Sequence, residues 1–304
     1  MTAPQLRTAD GGRNSTRRRG LSALDDRNQW RGNRVRWFNV LCASVLGTFV
    51  VIWLVPLVFA LITSLKTEED ATANPTSWLP ETWTVEAYTS VWRAGNMPVW
   101  YVNSFVVASL SALLTVLVCS MTGFALARTR FAGRRLVIGL MLAGIVIPGQ
   151  ILIIPMFQQF SALNLLNTYW AMILPGVASP IAVFIYMSFF RGIPSEIVDS
   201  ARADGAGWFR IYWTLYMPLC KPATSAVSIF SFIGAWNSFM WPLLVLTSTK
   251  LMTIPVGLAT VQSSYSVQYA QNMAMAILGA LPLLFVFVLF QRRIVEGIAT
   301  TGIK

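Results

Sequence analysis

Polar side chains able to do chemistry gather in two short stretches of this 304-residue sequence. The first holds Glu196, Asp199, Ser200, Ala201, Arg202, Asp204 and Gly205. Pro194-Ser195 reads as a helix start, with Glu196 in the first turn where the helix dipole favours an acid. Gly205 after Asp204 has the form of a left-handed helix stop. Small and polar residues on so short a helix suit contact with a groove on another protein. They suit equally an amphipathic hairpin lying on a membrane surface, and the pattern leaves both open. The second stretch is Trp236, Asn237, Phe239 and Trp241. An indole face accepts the apolar C–H side of a sugar and an amide accepts its hydroxyls. The same residues also serve helix–helix packing and an interfacial aromatic belt.

Other chemistry lacks its parts. The chain has no histidine, which removes the commonest metal ligand and neutral-pH proton carrier. Cys42, Cys119 and Cys220 fall in or beside apolar runs without ligand spacing, so neither a metal site nor a disulfide framework is expected. Gly297-Ile-Ala-Thr-Thr-Gly302-Ile303-Lys304 has two glycines at phosphate-loop spacing. Lysine must follow the second glycine directly, with Ser or Thr after it; here Ile303 intervenes. No catalytic residue, cofactor or nucleotide site is expected in the chain, so any driving energy comes from another polypeptide.

The elements that carry these stretches are apolar. Hydrophobic residues make up 55% of the chain and charged residues 12%, against about 25% charged in a soluble domain. No charged residue occurs in 37–65, 94–127, 136–190, 222–249 or 251–291. A bilayer core of about 30 Å needs about 20 apolar residues in a helix. The third window holds two spans around a polar break from Gln158 to Thr168. The expected fold is therefore an all-α polytopic membrane protein of six spans, near 37–64, 101–127, 136–157, 169–190, 222–247 and 271–291. Secondary transporters place ionisable groups at membrane depth, and these spans contain none. Alternate segments between spans hold 20 of the 23 basic residues, which puts both termini and the 191–221 loop in the cytoplasm. Residues 1–36, with nine arginines, read as a disordered arm that anchors topology on an anionic leaflet. The net charge of +11 thus points to membrane lipid and not to nucleic acid.

Asp199-Ser200-Ala201-x3-Gly205-x9-Leu215-x-Met217-Pro218 closely resembles the cytoplasmic signature of ABC importer permeases, Glu-Ala-Ala-x3-Gly-x9-Ile-x-Leu-Pro. Three further stretches are similar to the carbohydrate branch of that family, specifically its maltose-type second permease. They are Thr84-x-Glu86-x-Tyr88 in an external loop, Gly123-Phe-Ala-Leu-Ala-Arg128-x-Arg130-Phe131-x-Gly133-Arg134, and Trp236-Asn237-x-Phe239-x-Trp241-Pro242. The resemblance runs from about Val40 to Lys304.

The resemblance implies a permease subunit of the bacterial inner membrane and no enzyme. Its partners would be a homologous second permease, two ATPase subunits holding ATP and magnesium, and an extracytoplasmic sugar-binding protein. Residues 191–221 would be the coupling loop, with Asp199 as an acidic contact, Ala201 as a small face for close approach, and Gly205 as the turn. Residues Gly302 to Lys304 would reach toward the ATPase, or simply fray. The cargo would be a sugar, with glycerol phosphate or another polyol as the alternative. A stand-alone facilitator or channel is the alternative of another class, and it leaves the loop signature without a purpose.

Overall fold

A computed structural model describes the backbone of residues 13–261 and 268–301 and the side chains of 37–261 and 268–291. The described residues contain helices, turns and no strand. The backbone divides into two units, 1–59 and 60–304.

In the first unit, helix α1 (Arg13–Thr63) begins well before the apolar run. The disorder expected of the arm is thus not what the backbone of 13–36 shows. Once an apolar helix is nucleated, each further residue adds one hydrogen bond at little cost, and Arg, Leu and Ala continue it readily. The part of that expectation concerning residues 1–12 lies outside the described residues.

In the second unit, α2 (Glu68–Ala73) and α3 (Glu86–Ala94) are short helices in the loop that precedes α4 (Met97–Arg128). Helix α4 is the hub. It packs against α7 (Tyr169–Val177), α8 (Pro180–Arg191) and α12 (Lys221–Trp236). Its buried face repeats every four residues through Asn103, Val107, Ser111, Thr115, Cys119 and Gly123, mostly small side chains that let helix backbones approach closely in lipid. A Cβ on Gly123 would lie 2.7 Å from the Tyr186 Cβ of α8, so the closest crossing needs glycine.

Among the described residues three helical stretches are long and apolar enough to cross a membrane: Trp37–Thr63, Met97–Arg128 and Tyr269–Gln291. The other apolar runs are divided into shorter helices. Helices α5 (Arg134–Val146) and α6 (Ile153–Ala162) flank a 3₁₀ turn and bend by 97°. Ile147 sits before Pro148 in an extended conformation, as proline requires of its predecessor. The single span expected at 136–157 is therefore two helices. Helices α7 and α8 bend by 45°, where Ser179 starts α8 by accepting the Ala182 N–H. The expected span 222–247 is likewise divided into α12 and α13 (Met240–Val245). Asn237 ends α12, and Pro242 falls in the first turn of α13.

The chain then runs through α14 (Ile254–Val261) into α15 (Tyr269–Thr301), which packs on α12, α2 and α3. Large apolar side chains such as Leu136, Leu140, Leu284 and Phe285 are more than half exposed. In water such a surface would aggregate; in lipid it is the solvated surface.

Candidate functional site

The loop expected to carry chemistry folds as α9 (Ser195–Ala203), a tight turn, α10 (Trp208–Ile211), a wide π turn at Tyr212–Tyr216, and α11 (Met217–Leu219). Helix α9 closes as its glycine predicts. The Ala206 N–H donates to the Ala201 carbonyl at 3.0 Å and the Gly205 N–H to Arg202, also at 3.0 Å. Gly205 has φ +81°, the left-handed conformation that this paired closure demands.

Glu196, Asp199, Ser200 and Ala203 fall at helical spacing and are all exposed, which gives α9 one continuous outer stripe. Among the described residues the carboxylates of Glu196, Asp199 and Asp204 make no ion pair. Two other residues are engaged within the chain. The Ser200 hydroxyl donates to the Ile197 carbonyl, and the Arg202 guanidinium lies 4.9 Å above the Trp208 ring. Ala201 is half-buried and turns with Val198 toward the chain's own core. It therefore sets how closely α9 sits on its own subunit, while the outer stripe offers acid and hydroxyl groups.

Beneath α9 lies a cluster of rings. Phe124 of α4 meets Tyr216 at 4.9 Å, Tyr212 at 5.4 Å and Phe190 of α8 at 6.0 Å between centroids. The Ser120 and Tyr212 hydroxyls share a hydrogen bond of 2.6 Å. Trp208, Tyr212 and Leu215 share the stripe that faces this cluster. Along it the Met217 N–H reaches back to the Tyr212 carbonyl, one residue further than in an α-helix. Ile211, Tyr212 and Tyr216 are buried, while Phe209 is 67% and Trp213 41% exposed. Burial pushes the Tyr212 and Tyr216 phenols above their ordinary range, so both stay neutral at physiological pH.

Arg128 fastens this floor. Its guanidinium donates to the carbonyls of Phe190, at 2.6 Å, and Ile193. These carbonyls lie at and just beyond the end of α8, where a cation also meets the negative helix terminus. The same guanidinium lies 5.4 Å above the Tyr216 ring. In the sequence Arg128 stands only as the first charge after an apolar run; nothing there pairs it with a loop 60 residues on.

The four residues of the second stretch do not come together. Trp236 and Asn237 line a cavity of about 440 Å³ with Asn272, Leu258 and Gly279. Trp241 lines a different cavity of about 700 Å³ between α4, α7, α8 and α12, with Ser111, Thr115, Ser179, Ser231 and Ser238. Phe239 lines neither. Both indole N–H groups are already used, Trp236 toward Gly279 at 3.3 Å and Trp241 toward Ala171 at 2.7 Å. These bonds fix both indoles against neighbouring helices, and Asn237, which is exposed, lines the smaller cavity. The hydroxyls of the larger cavity come from α4, α12 and the turns that follow α7 and α12, so no local pattern in the sequence announces them. Among the described residues no group of His, Cys, Asp and Glu could hold a metal ion. Gly302 to Lys304 lie outside the described residues.

Comparison with known proteins follows this architecture. The family described as binding-protein-dependent transport system inner membrane component matches residues 119–299. The arabinooligosaccharides transport system permease protein AraQ of Halalkalibacterium halodurans is 34% identical over 82% of this chain and 90% of its own length. The diacetylchitobiose uptake system permease protein NgcG of Streptomyces coelicolor is also 34% identical, over 87% and 88%. The sn-glycerol-3-phosphate transport system permease protein UgpE of Yersinia enterocolitica is 30% identical over 86% and 96%. A crystal structure of a bacterial ABC transporter involved in import of the acidic polysaccharide alginate contains a chain of similar fold. Its TM-score is 0.73 at 21% identity, over 84% of this chain and 96% of that one. With a matched region that takes in the Arg128 cap, the ring cluster and the whole of α9, this chain belongs to the family of binding-protein-dependent transport system inner membrane components.

Proposed function

We propose that the chain is a permease subunit of an ATP-driven sugar importer, and that α9 is the helix through which an ATPase subunit moves it. The observation that carries this reading is the build of the loop. An exposed stripe of Glu196, Asp199 and Ser200 rides on rings belonging to α4 and α8, so displacement of α9 is passed to two helices that line the larger cavity. Close-packed interiors transmit strain with little compression. The working assembly in this reading has a second, homologous permease, two ATPase subunits that bind ATP and magnesium, and an external sugar-binding protein. Both termini face the cytoplasm, in accord with the distribution of arginines.

Sugar is favoured as cargo over the phosphate ester carried by one relative. Both cavities are walled by apolar groups, amides and hydroxyls, and neither lining contains Lys or Arg. A phosphate would need charge-assisted donors. Asn237, Ser111, Thr115 and Ser231 are the side chains proposed to meet the sugar.

Gly205→Asp tests the coupling role. A Cβ at position 205 would meet nothing within 4 Å, and aspartate tolerates the left-handed conformation better than most residues. The variant is therefore expected to reach the membrane folded, with its thermal midpoint close to wild type. Its capture of the ATPase subunit and its sugar uptake should both fall by more than about tenfold, the loss of one well-placed contact surface. Wild-type uptake and capture in this variant would sink the reading.

A further inference from the structure

Four arginines surround a second concavity on the loop side of the bundle that coupling does not use. Arg130 comes from the turn between α4 and α5, Arg134 and Arg135 from the start of α5, and Arg191 from the end of α8. With Phe131 and Ile138 they line a cavity of about 530 Å³. Two physical features make this place unusual. Arg134 and Arg135 occupy the first turn of a thirteen-residue helix that has no acid there, so they add cations to the positive end of the helix dipole, an arrangement that costs stability unless an anion is near. Gly133, at φ +87°, starts that helix without a side-chain cap. Further, the Nε of Arg134 is buried without a hydrogen-bond partner, and none of the four guanidinium groups makes an ion pair among the described residues.

We infer that this concavity binds the phosphate headgroup of an anionic phospholipid in the leaflet on the α9 side. Four cations and unfilled N–H donors call for a phosphate. The walls call for a lipid. Phe131 and Ile138 line the site, and helix α5 runs from it with no buried residue. Leu136 is 67% exposed and Leu140 63%, an apolar track along which acyl chains can lie. Basic pockets beside spans recruit lipid headgroups in this manner. The inference needs only that the spans lie in a bilayer, so it can fail while the coupling reading stands, and the reverse.

The test takes the full-length chain in detergent with phosphatidylcholine as the sole lipid and follows its thermal midpoint. Added phosphatidylglycerol should raise the midpoint, whereas equal amounts of phosphatidylcholine or inorganic phosphate should not. Arg134→Gln combined with Arg135→Gln should raise the half-saturating phosphatidylglycerol about fivefold for each arginine lost. Its midpoint in phosphatidylcholine alone should equal or slightly exceed wild type, because two cations are gone from the positive end of the α5 dipole. An equal rise with inorganic phosphate would make this a free-anion site, and an equal rise with phosphatidylcholine a general lipid effect. Unchanged half-saturation in the variant would place the lipid elsewhere. Reduced ATPase capture by the variant in phosphatidylcholine would assign the arginines to protein docking. Each of these four outcomes overturns the proposal. If the double variant does not fold, Arg130→Gln combined with Arg191→Gln, two exposed side chains, carries the same reading.

Discussion

The two ends of α4 are held by different physics. At the α9 end, Phe124 sits among Phe190, Tyr212 and Tyr216, and the helices are joined chiefly ring against ring, with Arg128 donating to two carbonyls at the rim of the cluster. At the other end the joints are hydrogen bonds from side chains to backbone. Trp100 Nε1 donates to the Thr249 carbonyl at 2.9 Å, and Asn103 Nδ2 donates to Lys250 and Met252 at 2.8 and 2.9 Å. Ser104 Oγ accepts the Ile254 N–H at 2.7 Å. Ring packing is steep in volume but weakly directional, so a packed cluster can be pushed as a body. Hydrogen bonds to carbonyls fix register and orientation, so the segment 249–254 cannot slide along α4. In the coupling reading proposed above, the first end is the one that is displaced and the second the one that stays in place.

The sharpest way to break that contrast is to remove volume at the α9 end. Tyr216 is fully buried, and its hydroxyl has no hydrogen-bond partner. Tyr216→Ala should cost about 4 kcal/mol, as large aromatic truncations in cores do, and should uncouple sugar uptake from ATP hydrolysis. Tyr216→Phe removes only an unpaired hydroxyl and should remain within about 1 kcal/mol of wild type with transport intact. Thermal unfolding in detergent and uptake in vesicles measure both. If the phenylalanine variant were as damaged as the alanine one, the joint would depend on a polar contact and the contrast would be lost.

Next in size is Asn103. Its amide donates twice and accepts once, from the Tyr169 hydroxyl at 2.6 Å. Asn103→Leu keeps the bulk but leaves two carbonyls and a phenol without partners. Buried groups orphaned in this way cost about 2 kcal/mol in total, held down because membrane-embedded hydrogen bonds are individually modest. A loss of stability is expected even though volume is conserved, the reverse of the behaviour at Tyr216. Tolerance of leucine would mean that this end too is held by packing alone.

The sequence shows these two ends unequally. Gly205 was legible because a helix stop is a local device, written in the residue that needs φ > 0. The charge-free windows revealed the apolar stretches because a bilayer demands them over about 20 consecutive residues. The breaks at Pro148, Ser179 and Asn237 were harder to read, since each is set by one or two residues inside a run whose average stays apolar. The inward position of Tyr216 was hidden, because nothing local separates it from Phe209 and Trp213, aromatic residues of the same loop that stay exposed. Pairings such as Arg128 with Ile193 or Asn103 with Met252 join residues 65 and 149 apart, and nothing in either local pattern points to the other. Trp236 and Trp241 look alike in sequence as sugar platforms. In the fold both indole donors are consumed by carbonyls, while scattered serines line the larger cavity.

Two glycines give the finest test, one at each end and each needed for a different reason. A Cβ on Gly257 would fall 2.3 Å from Trp100 Cδ2. That ring cannot swing aside without giving up its bond to Thr249, so Gly257→Ala should cost about 2 kcal/mol by overpacking. Gly205 has open space around it and a left-handed φ, so Gly205→Ala should cost about 1 kcal/mol by backbone strain alone. Asparagine separates the two causes. It relieves strain in the left-handed region but is larger than alanine, so Gly205→Asn should recover most of the wild-type midpoint, whereas Gly257→Asn should be worse than Gly257→Ala. Wild-type stability of Gly257→Ala would mean that Trp100 moves freely, and that the end opposite α9 is as compliant as the end that carries it.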